Sequence, residues 1–102
     1  MEIALTGERV TAARLHEAGL INKLVPAGQA LAGAKELAAR VVPGAPLALA
    51  ATKQVIALGT DWDSGEAFAR QGEIISPVFS SADAMEGAMA FAEKRAPNWR
   101  GE

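Results

Sequence analysis

One group of side chains near the C-terminus has the types and spacing needed to bind a nucleotide. Phe91, Lys94 and Arg95 are spaced i, i+3 and i+4, so on a helix they would share one face. In such a group the aromatic ring can stack on a base, while the two cations bind phosphate oxygens. The same spacing also fits a core phenylalanine flanked by solvated charges, and the pattern alone favours this second interpretation.

The remaining reactive side chains do not form a recognisable catalytic or metal-binding set. The single histidine, His16, lies beside Glu17 in a helical stretch with no second ligand near it in sequence. This is typical of a surface or half-buried helical histidine. The sequence contains no cysteine and no tyrosine, which excludes disulfides and thiolate chemistry. We therefore predict no metal site and assign no catalytic residue.

Two pairs of carboxylates and one isolated lysine have structural explanations. Asp61 with Asp63, and Asp83 with Glu86, stand where helices are predicted to start. Helix capping and compensation of the helix dipole account for them without a general acid or base role. Lys53 stands in an apolar helical stretch, and we expect its side chain to extend along the helix to reach water.

The composition predicts helices that form easily and are weakly anchored. The chain has 102 residues, of which 23 are alanine, and only five are aromatic. Alanine favours helix but buries little area. We therefore expect the chain to take part of its core from a partner, either as a homo-oligomer (dimer or trimer) or with the rest of a longer protein.

Charge and hydropathy exclude several classes of partner. Ten basic against twelve acidic residues give a net charge of −2, so no basic excess suggests a nucleic acid or an anionic membrane as a partner. The first residues do not resemble a signal peptide, and the longest apolar run, Ala45 to Ala51, is too short to cross a bilayer. We predict a soluble, cytoplasmic protein.

The hydrophobic pattern predicts a mostly α fold of four to five helices with at most one short extended segment. Thr11 is the predicted N-cap of the first helix, which ends at Gly19, and Leu20 to Val25 form the extended piece. The later helices are predicted from about Gln29 to Val42, from Pro46 to Leu58, from Asp63 towards Pro77, and from Asp83 to Arg95.

Several side-chain interactions are predicted within these helices. Asp63 with Glu66, and Asp83 with Glu86, resemble capping boxes, and Glu36 with Arg40 has the spacing of an i,i+4 ion pair. The helix predicted from Pro46 to Leu58 is apolar enough to be buried on most sides. The last helix carries an apolar stripe formed by Met85, Ala88, Met89 and Ala92.

Four sequence blocks in order resemble the C-terminal part of the crotonase superfamily, the enoyl-CoA hydratase/isomerase group. They run from Leu5-Thr6-Gly7 to Pro26, from Ala34 to Ala38, from Ala45 to Lys53, and from Ser81 to Gly101. The resemblance implies that residues 1–26 are the tail end of the spiral core. It also implies that residues 27–102 are the helical region through which these enzymes form trimers.

The resemblance also implies a ligand contact. Enzymes of this group act on acyl-CoA thioesters and need no further cofactor. An aromatic residue and a lysine of the last helix often reach the CoA nucleotide, in many cases that of a neighbouring subunit. Phe91 and Lys94 occupy those positions of the motif, which raises the nucleotide interpretation above the structural one for a complete enzyme.

The catalytic groups of the family lie upstream of the Leu5-Thr6-Gly7 block, and nothing in this sequence matches them. We therefore expect a fragment that assembles and contacts CoA weakly, if at all, without activity of its own. The alternative is a stand-alone helical interaction or decoy module that associates with full-length homologues.

Overall fold

A computed structural model describes residues 2–102, and within them it contains helices and no strand. The six helices are α1 (Glu2–Thr6), α2 (Ala12–Glu17), α3 (Ala30–Val41), α4 (Pro46–Gly59), α5 (Ala67–Phe79) and α6 (Ala82–Glu93). The mostly α prediction is confirmed, with one helix more than expected. The unexpected helix is α1, whose five residues are too few to show a helical period. The chain divides after Val42 into two compact units.

In the first unit, local signals set the ends of α2 as predicted. The hydroxyl of Thr11 accepts a hydrogen bond from the backbone N–H of Arg14 at 3.3 Å, which confirms the N-cap. Gly19 follows the helix at φ +77°, a conformation that glycine adopts without a steric penalty. The N–H of Gly19 donates to the carbonyl of His16, and the next N–H donates to the carbonyl of Leu15. These two bonds form a Schellman motif.

The segment between α2 and α3, which includes the predicted extended piece, has no helix or strand in the structure. It supplies the ion-pair partner of α3. Lys23 in this segment pairs with Glu36, and hydrogen bonding to the ammonium lowers the pKa of that carboxyl. The predicted pair between Glu36 and Arg40 is therefore wrong. The spacing on α3 permits that pair, but the segment before the helix supplies a cation from outside it.

The second unit consists of α4, α5, α6 and the tail that follows them; α4 packs on α5, and α5 packs on α6. Pro46 occupies the first turn of α4 as predicted. The prediction that α4 is buried on most sides is wrong. Its one buried residue is Ala51, whereas Ile56 is 70% exposed and Leu58 is 46% exposed. The reason is that α5 covers only one side of this helix.

The start of α5 differs from the prediction. Asp63 does not cap the helix; its carboxylate accepts a hydrogen bond from the N–H of Gly65 at 2.8 Å, within the preceding turn. The helix begins at Ala67, and Glu66 at its N-cap makes no capping bond but pairs with Arg70 instead. The predicted capping box is therefore wrong. As expected, α5 ends shortly after Pro77.

The start of α6 also differs from the prediction. Ser81 is the N-cap, and its hydroxyl accepts from the N–H of Ala84 at 3.1 Å. The predicted apolar stripe is exposed, with Met85 at 67% and Met89 at 47%. The buried face carries Asp83 and Ala90. The stripe is exposed because the C-terminal tail covers a different side of the helix.

The described residues bury little apolar surface. Within residues 2–102 the buried hydrophobic residues are Ala51 and Ala90, and no large side chain is fully buried. Sixteen large apolar side chains are exposed, among them Phe68 at 86%, Phe79 at 78% and Phe91 at 88%. As for membrane segments, no single helix in this part of the chain has both the length and the apolar character to cross a bilayer.

Candidate functional site

The C-terminal tail, residues 94–102, is held against α6 by a buried carboxylate. Asp83 is 2% exposed, and its two oxygens accept hydrogen bonds from the backbone N–H groups of Arg100 at 2.7 Å and Gly101 at 2.9 Å. In return, the N–H of Asp83 donates to the carbonyl of Glu102 at 3.0 Å. The two bonds to the carboxylate satisfy a charge that would otherwise be costly to bury, and the third satisfies a backbone donor.

A second carboxylate, one turn further along α6, holds the first part of the tail. Glu86 accepts two hydrogen bonds from the guanidinium of Arg95, at 2.5 Å and 3.0 Å, and one from the N–H of Asn98 at 2.7 Å. The hydrogen bonds from Arg95, and then that from the Asn98 amide, lower the pKa of Glu86 to about 2. Arg95 also donates to Glu93 at 2.5 Å, and these carboxylates raise the pKa of its guanidinium.

Trp99 anchors the middle of the tail. Its indole N–H donates to the carbonyl of Pro43 at 2.7 Å, just before α4. Its ring lies so close to α6 that a methyl group added at Gly87 would stand 3.1 Å from the ring carbon Cη2. These contacts show that the residues after Pro97 form a tail docked on α6.

The turn between α6 and the tail contains an unusual backbone conformation. Lys94 adopts the left-handed conformation at φ +53° and ψ +39°. The other four residues with positive φ in the described part of the chain are all glycines. The N–H of Lys94 donates to the carbonyl of Phe91 at 3.3 Å, and the N–H of Arg95 donates to the carbonyl of Ala90 at 3.0 Å. The helix therefore ends one residue before Lys94.

The three residues of the predicted nucleotide-binding group have different environments. Phe91 is 88% exposed on α6. Lys94 is exposed too, and the structure shows no salt bridge for it within residues 2–102. Arg95, in contrast, is bound to Glu86 and Glu93. The prediction that all three share one helical face is wrong, because the helix ends at Glu93. Phe91 and Lys94 remain as the candidate pair.

An open hollow of about 260 Å³ lies on the side of α6 that carries the exposed methionines. It is lined by Ala82, Met85, Glu86, Met89, Asn98 and Arg100. Two of these side chains, Glu86 and Asn98, belong to the contacts that hold the tail. The hollow is thus a product of the docked tail.

Within residues 2–102, no three His, Asp or Glu side chains come together as metal ligands. His16 lies in the first unit, where its Nδ1 is 2.9 Å from the carbonyl oxygen of Ile21. This contact suits an exposed helical histidine, the role that its sequence position indicates.

Asp83 and Glu86 do not form the predicted capping box, because both side chains hold the tail. A signal was present in the residues that follow α6: an arginine, a proline and a tryptophan within five positions. Such residues favour a tail that is ordered and packed on the helix. The backbone N–H groups of a packed tail need hydrogen-bond acceptors, which the helix must supply.

Comparison with known proteins extends over the entire chain. A sequence profile described as enoyl-CoA hydratase/isomerase matches residues 1–102. The enoyl-CoA hydratase EchA19 of Mycobacterium tuberculosis is 46% identical over 99 residues, which cover 97% of this chain and 37% of that protein. The carnitinyl-CoA dehydratase of Salmonella typhi is 38% identical over 104 residues, covering 98% of this chain and 40% of that protein.

Solved structures show the same relationship. A probable enoyl-CoA hydratase/isomerase from Mycobacterium abscessus is 57% identical with a TM-score of 0.94, and the match covers 100% of this chain and 40% of the other. The enoyl-CoA hydratase of Mycobacterium tuberculosis H37Rv is 48% identical with a TM-score of 0.97 and the same coverage. The chain spans about two fifths of the length of the relatives it matches.

Proposed function

Because the chain belongs to the enoyl-CoA hydratase/isomerase family, we propose that it is the C-terminal helical part of an acyl-CoA enzyme, where it mediates assembly and contributes part of the CoA contact. No further cofactor is required in this proposal; the acyl-CoA is the substrate of the complete enzyme. The match covers the whole of this chain but only about two fifths of the length of its relatives, and this supports the role of a part of a longer enzyme.

The observation that carries the assembly role is the exposure of apolar side chains. Two alanines are the buried hydrophobic residues among residues 2–102, while sixteen large apolar side chains face solvent. Exposed apolar surface on this scale favours a protein partner. The partner is the rest of the enzyme, further copies of the chain in a dimer or trimer, or both.

The proposed CoA contact consists of Phe91 and Lys94. The exposed ring of Phe91 is available to pack against an adenine base, and the ammonium of Lys94 is available to bind a phosphate. Arg95 is left out of this contact because two carboxylates already hold it.

We expect the purified 102-residue chain to form a dimer or trimer and to show no hydration of crotonyl-CoA. Light scattering coupled to size exclusion measures the mass, and loss of the enoyl absorbance measures turnover. Coexpression with the remaining N-terminal part of the Mycobacterium abscessus relative should restore activity. A strict monomer at high concentration contradicts the assembly role. Turnover that remains after every full-length contaminant is removed contradicts the prediction that the chain alone is inactive.

The second candidate function is a stand-alone helical module that joins full-length homologues, and the same exposed apolar helices favour it. The two candidates differ in what the chain does to an enzyme that is already complete. A decoy subunit should co-elute with the full-length homologue and lower its activity per active site. Absence of co-elution under conditions in which the coexpressed halves assemble counts against the decoy.

A further inference from the structure

We propose that Glu86 is a positioning residue for the CoA contact, because its pair with Arg95 fixes the left-handed turn at Lys94. The inference rests on the proposed function, in which Lys94 binds a phosphate of CoA. It adds a residue that touches no ligand but determines where the lysine ammonium is held.

The first step is the conformation of Lys94. A side chain other than that of glycine in the left-handed region costs free energy, because its Cβ approaches the next carbonyl oxygen. The chain uses glycine at the four other positive-φ positions within residues 2–102, at residues 7, 19, 28 and 101. A strained residue at a candidate site suggests that its side chain serves a function.

The left-handed conformation of Lys94 is held by the residue that follows it, Arg95, which is bonded to α6 at two points. Its backbone N–H donates to the carbonyl of Ala90 at 3.0 Å, and its guanidinium forms a two-point pair with Glu86. The same carboxylate accepts the N–H of Asn98 at 2.7 Å. Lys94 is thus confined between the end of the helix and a residue whose main chain and side chain are both fixed.

The third step is that Glu86 can be changed without releasing the tail. The Asp83 bonds to Arg100 and Gly101, and the Trp99 bond to Pro43, do not involve Glu86. Replacing Glu86 with glutamine keeps the size of the side chain but removes the charge that both Arg95 and Asn98 use. The turn at Lys94 should then relax while the tail stays docked.

The test uses a complete enzyme, built by placing this chain behind the remaining N-terminal part of the Mycobacterium abscessus relative. The dissociation constant of CoA is measured by calorimetry, and KM and kcat are measured with crotonyl-CoA. Lys94→Ala should weaken CoA binding about tenfold. Glu86→Gln should weaken it about threefold, and raise KM with kcat unchanged, because a displaced cation loses part of its contact.

The decisive variant combines both substitutions. If Glu86 acts through Lys94, Glu86→Gln should have no further effect on CoA binding in the Lys94→Ala background. Glu66→Gln is the matched control, because Glu66 also pairs with an arginine, Arg70, at a distance from Lys94 in sequence. This control should leave CoA binding unchanged.

The outcomes separate the two proposals. If Lys94→Ala leaves CoA binding unchanged, the proposed contact fails, and the inference fails with it. If Lys94→Ala weakens binding but Glu86→Gln does not, only the inference is overturned. The inference is also overturned if Glu86→Gln lowers CoA affinity by the same factor in the unsubstituted enzyme and in Lys94→Ala. The substitution would then act on the fold and not through Lys94.

Discussion

The carboxylate of Glu86 binds the guanidinium of Arg95 through both of its oxygens, across nine residues and the end of a helix. The Glu86 side chain is only 19% exposed, so this pair is more protected than the other ion pairs of the second unit. Partial protection from solvent makes the interaction stronger than that of a typical surface pair.

This pair predicts a pH dependence of stability. The ordinary pKa of the carboxyl is 4.5, and in the folded chain it is lowered to about 2. A carboxyl whose pKa is lowered by folding stabilises the fold at pH values above its pKa in the unfolded chain. It loses this contribution as the pH falls through its pKa in the folded chain. We therefore expect the difference in stability between the unsubstituted chain and Glu86→Gln to be fully present above pH 4.5. It should shrink between pH 4.5 and about 2.

Urea unfolding at a series of pH values, at one fixed protein concentration, measures this difference. The concentration is fixed because assembly makes stability depend on it. Glu66→Gln serves as the control, since the carboxylate of Glu66 is 61% exposed and its pair with Arg70 should contribute little. A difference between Glu86→Gln and the unsubstituted chain that stays constant from pH 6 to pH 2.5 would contradict the prediction.

A second prediction concerns the buried carboxylate of Asp83. Replacing Asp83 with alanine removes the buried carboxylate that accepts hydrogen bonds from the N–H groups of Arg100 and Gly101. We expect a loss of about 3 kcal/mol in the free energy of unfolding, since each hydrogen bond to a charged group contributes about 1.5–3 kcal/mol. Chemical denaturation measures this loss.

The matched control for Asp83→Ala is Asp61→Ala. Asp61 is exposed, and its side chain makes no hydrogen bond within the described residues. Its removal should change stability by less than about 0.5 kcal/mol. Equal effects of the two substitutions would show that Asp83 does not hold the tail in solution.

Asp83 and Glu86 also show where sequence reasoning ends. Thr11, Gly19 and Pro46 act on their own helix, so their roles could be predicted from neighbours in sequence. The two carboxylates act on residues of the tail that lie nine to eighteen positions further along the chain than the carboxylates themselves. Capping spacing cannot reveal such a contact, because the path of the tail depends on the packing of the whole unit.

The candidate contact of Phe91 and Lys94 with CoA follows from the family resemblance and stays a prediction. Both side chains are exposed in the structure, as such a contact requires. Arg95 was wrongly grouped with them because a helical period was continued beyond Glu93, where α6 ends. The turn itself could not be predicted, because its left-handed residue is a lysine and the usual signal for this conformation is glycine.

A third prediction compares two glycines in helix interiors. Replacing glycine with alanine in a helix stabilises it by about 0.5–1 kcal/mol where there is space for the methyl group. Gly72 in α5 has nothing within 4 Å of the added Cβ, so Gly72→Ala should give this gain. At Gly87 the methyl group would stand 3.1 Å from Trp99, whose indole is fixed by its bond to Pro43.

We therefore expect Gly87→Ala to be at least about 1 kcal/mol less stable than Gly72→Ala, because the ring must move and strain its hydrogen bond. Urea unfolding gives the stabilities, and tryptophan fluorescence reports the movement of the ring. The same gain from both substitutions would mean that the indole does not pack on α6.

The fourth prediction separates the fold of the turn from its proposed function. Lys94→Gly places glycine at φ +53°, where it has no Cβ to strain the backbone. We expect the stability of the chain to rise by about 1 kcal/mol. In the complete enzyme the same substitution should weaken CoA binding about tenfold, since the ammonium that binds phosphate is lost.

Denaturation and CoA titration at low and moderate salt measure the two effects. The unsubstituted enzyme should lose CoA affinity as salt is raised, and Lys94→Gly should lose less, because a phosphate contact is screened by ions. Lys53→Gly is the control: Lys53 is exposed inside α4, so its replacement should destabilise the helix by about 1 kcal/mol and leave CoA binding unchanged. A Lys94→Gly enzyme that is more stable and still binds CoA with full affinity and salt dependence would show that the strained lysine does not serve CoA binding.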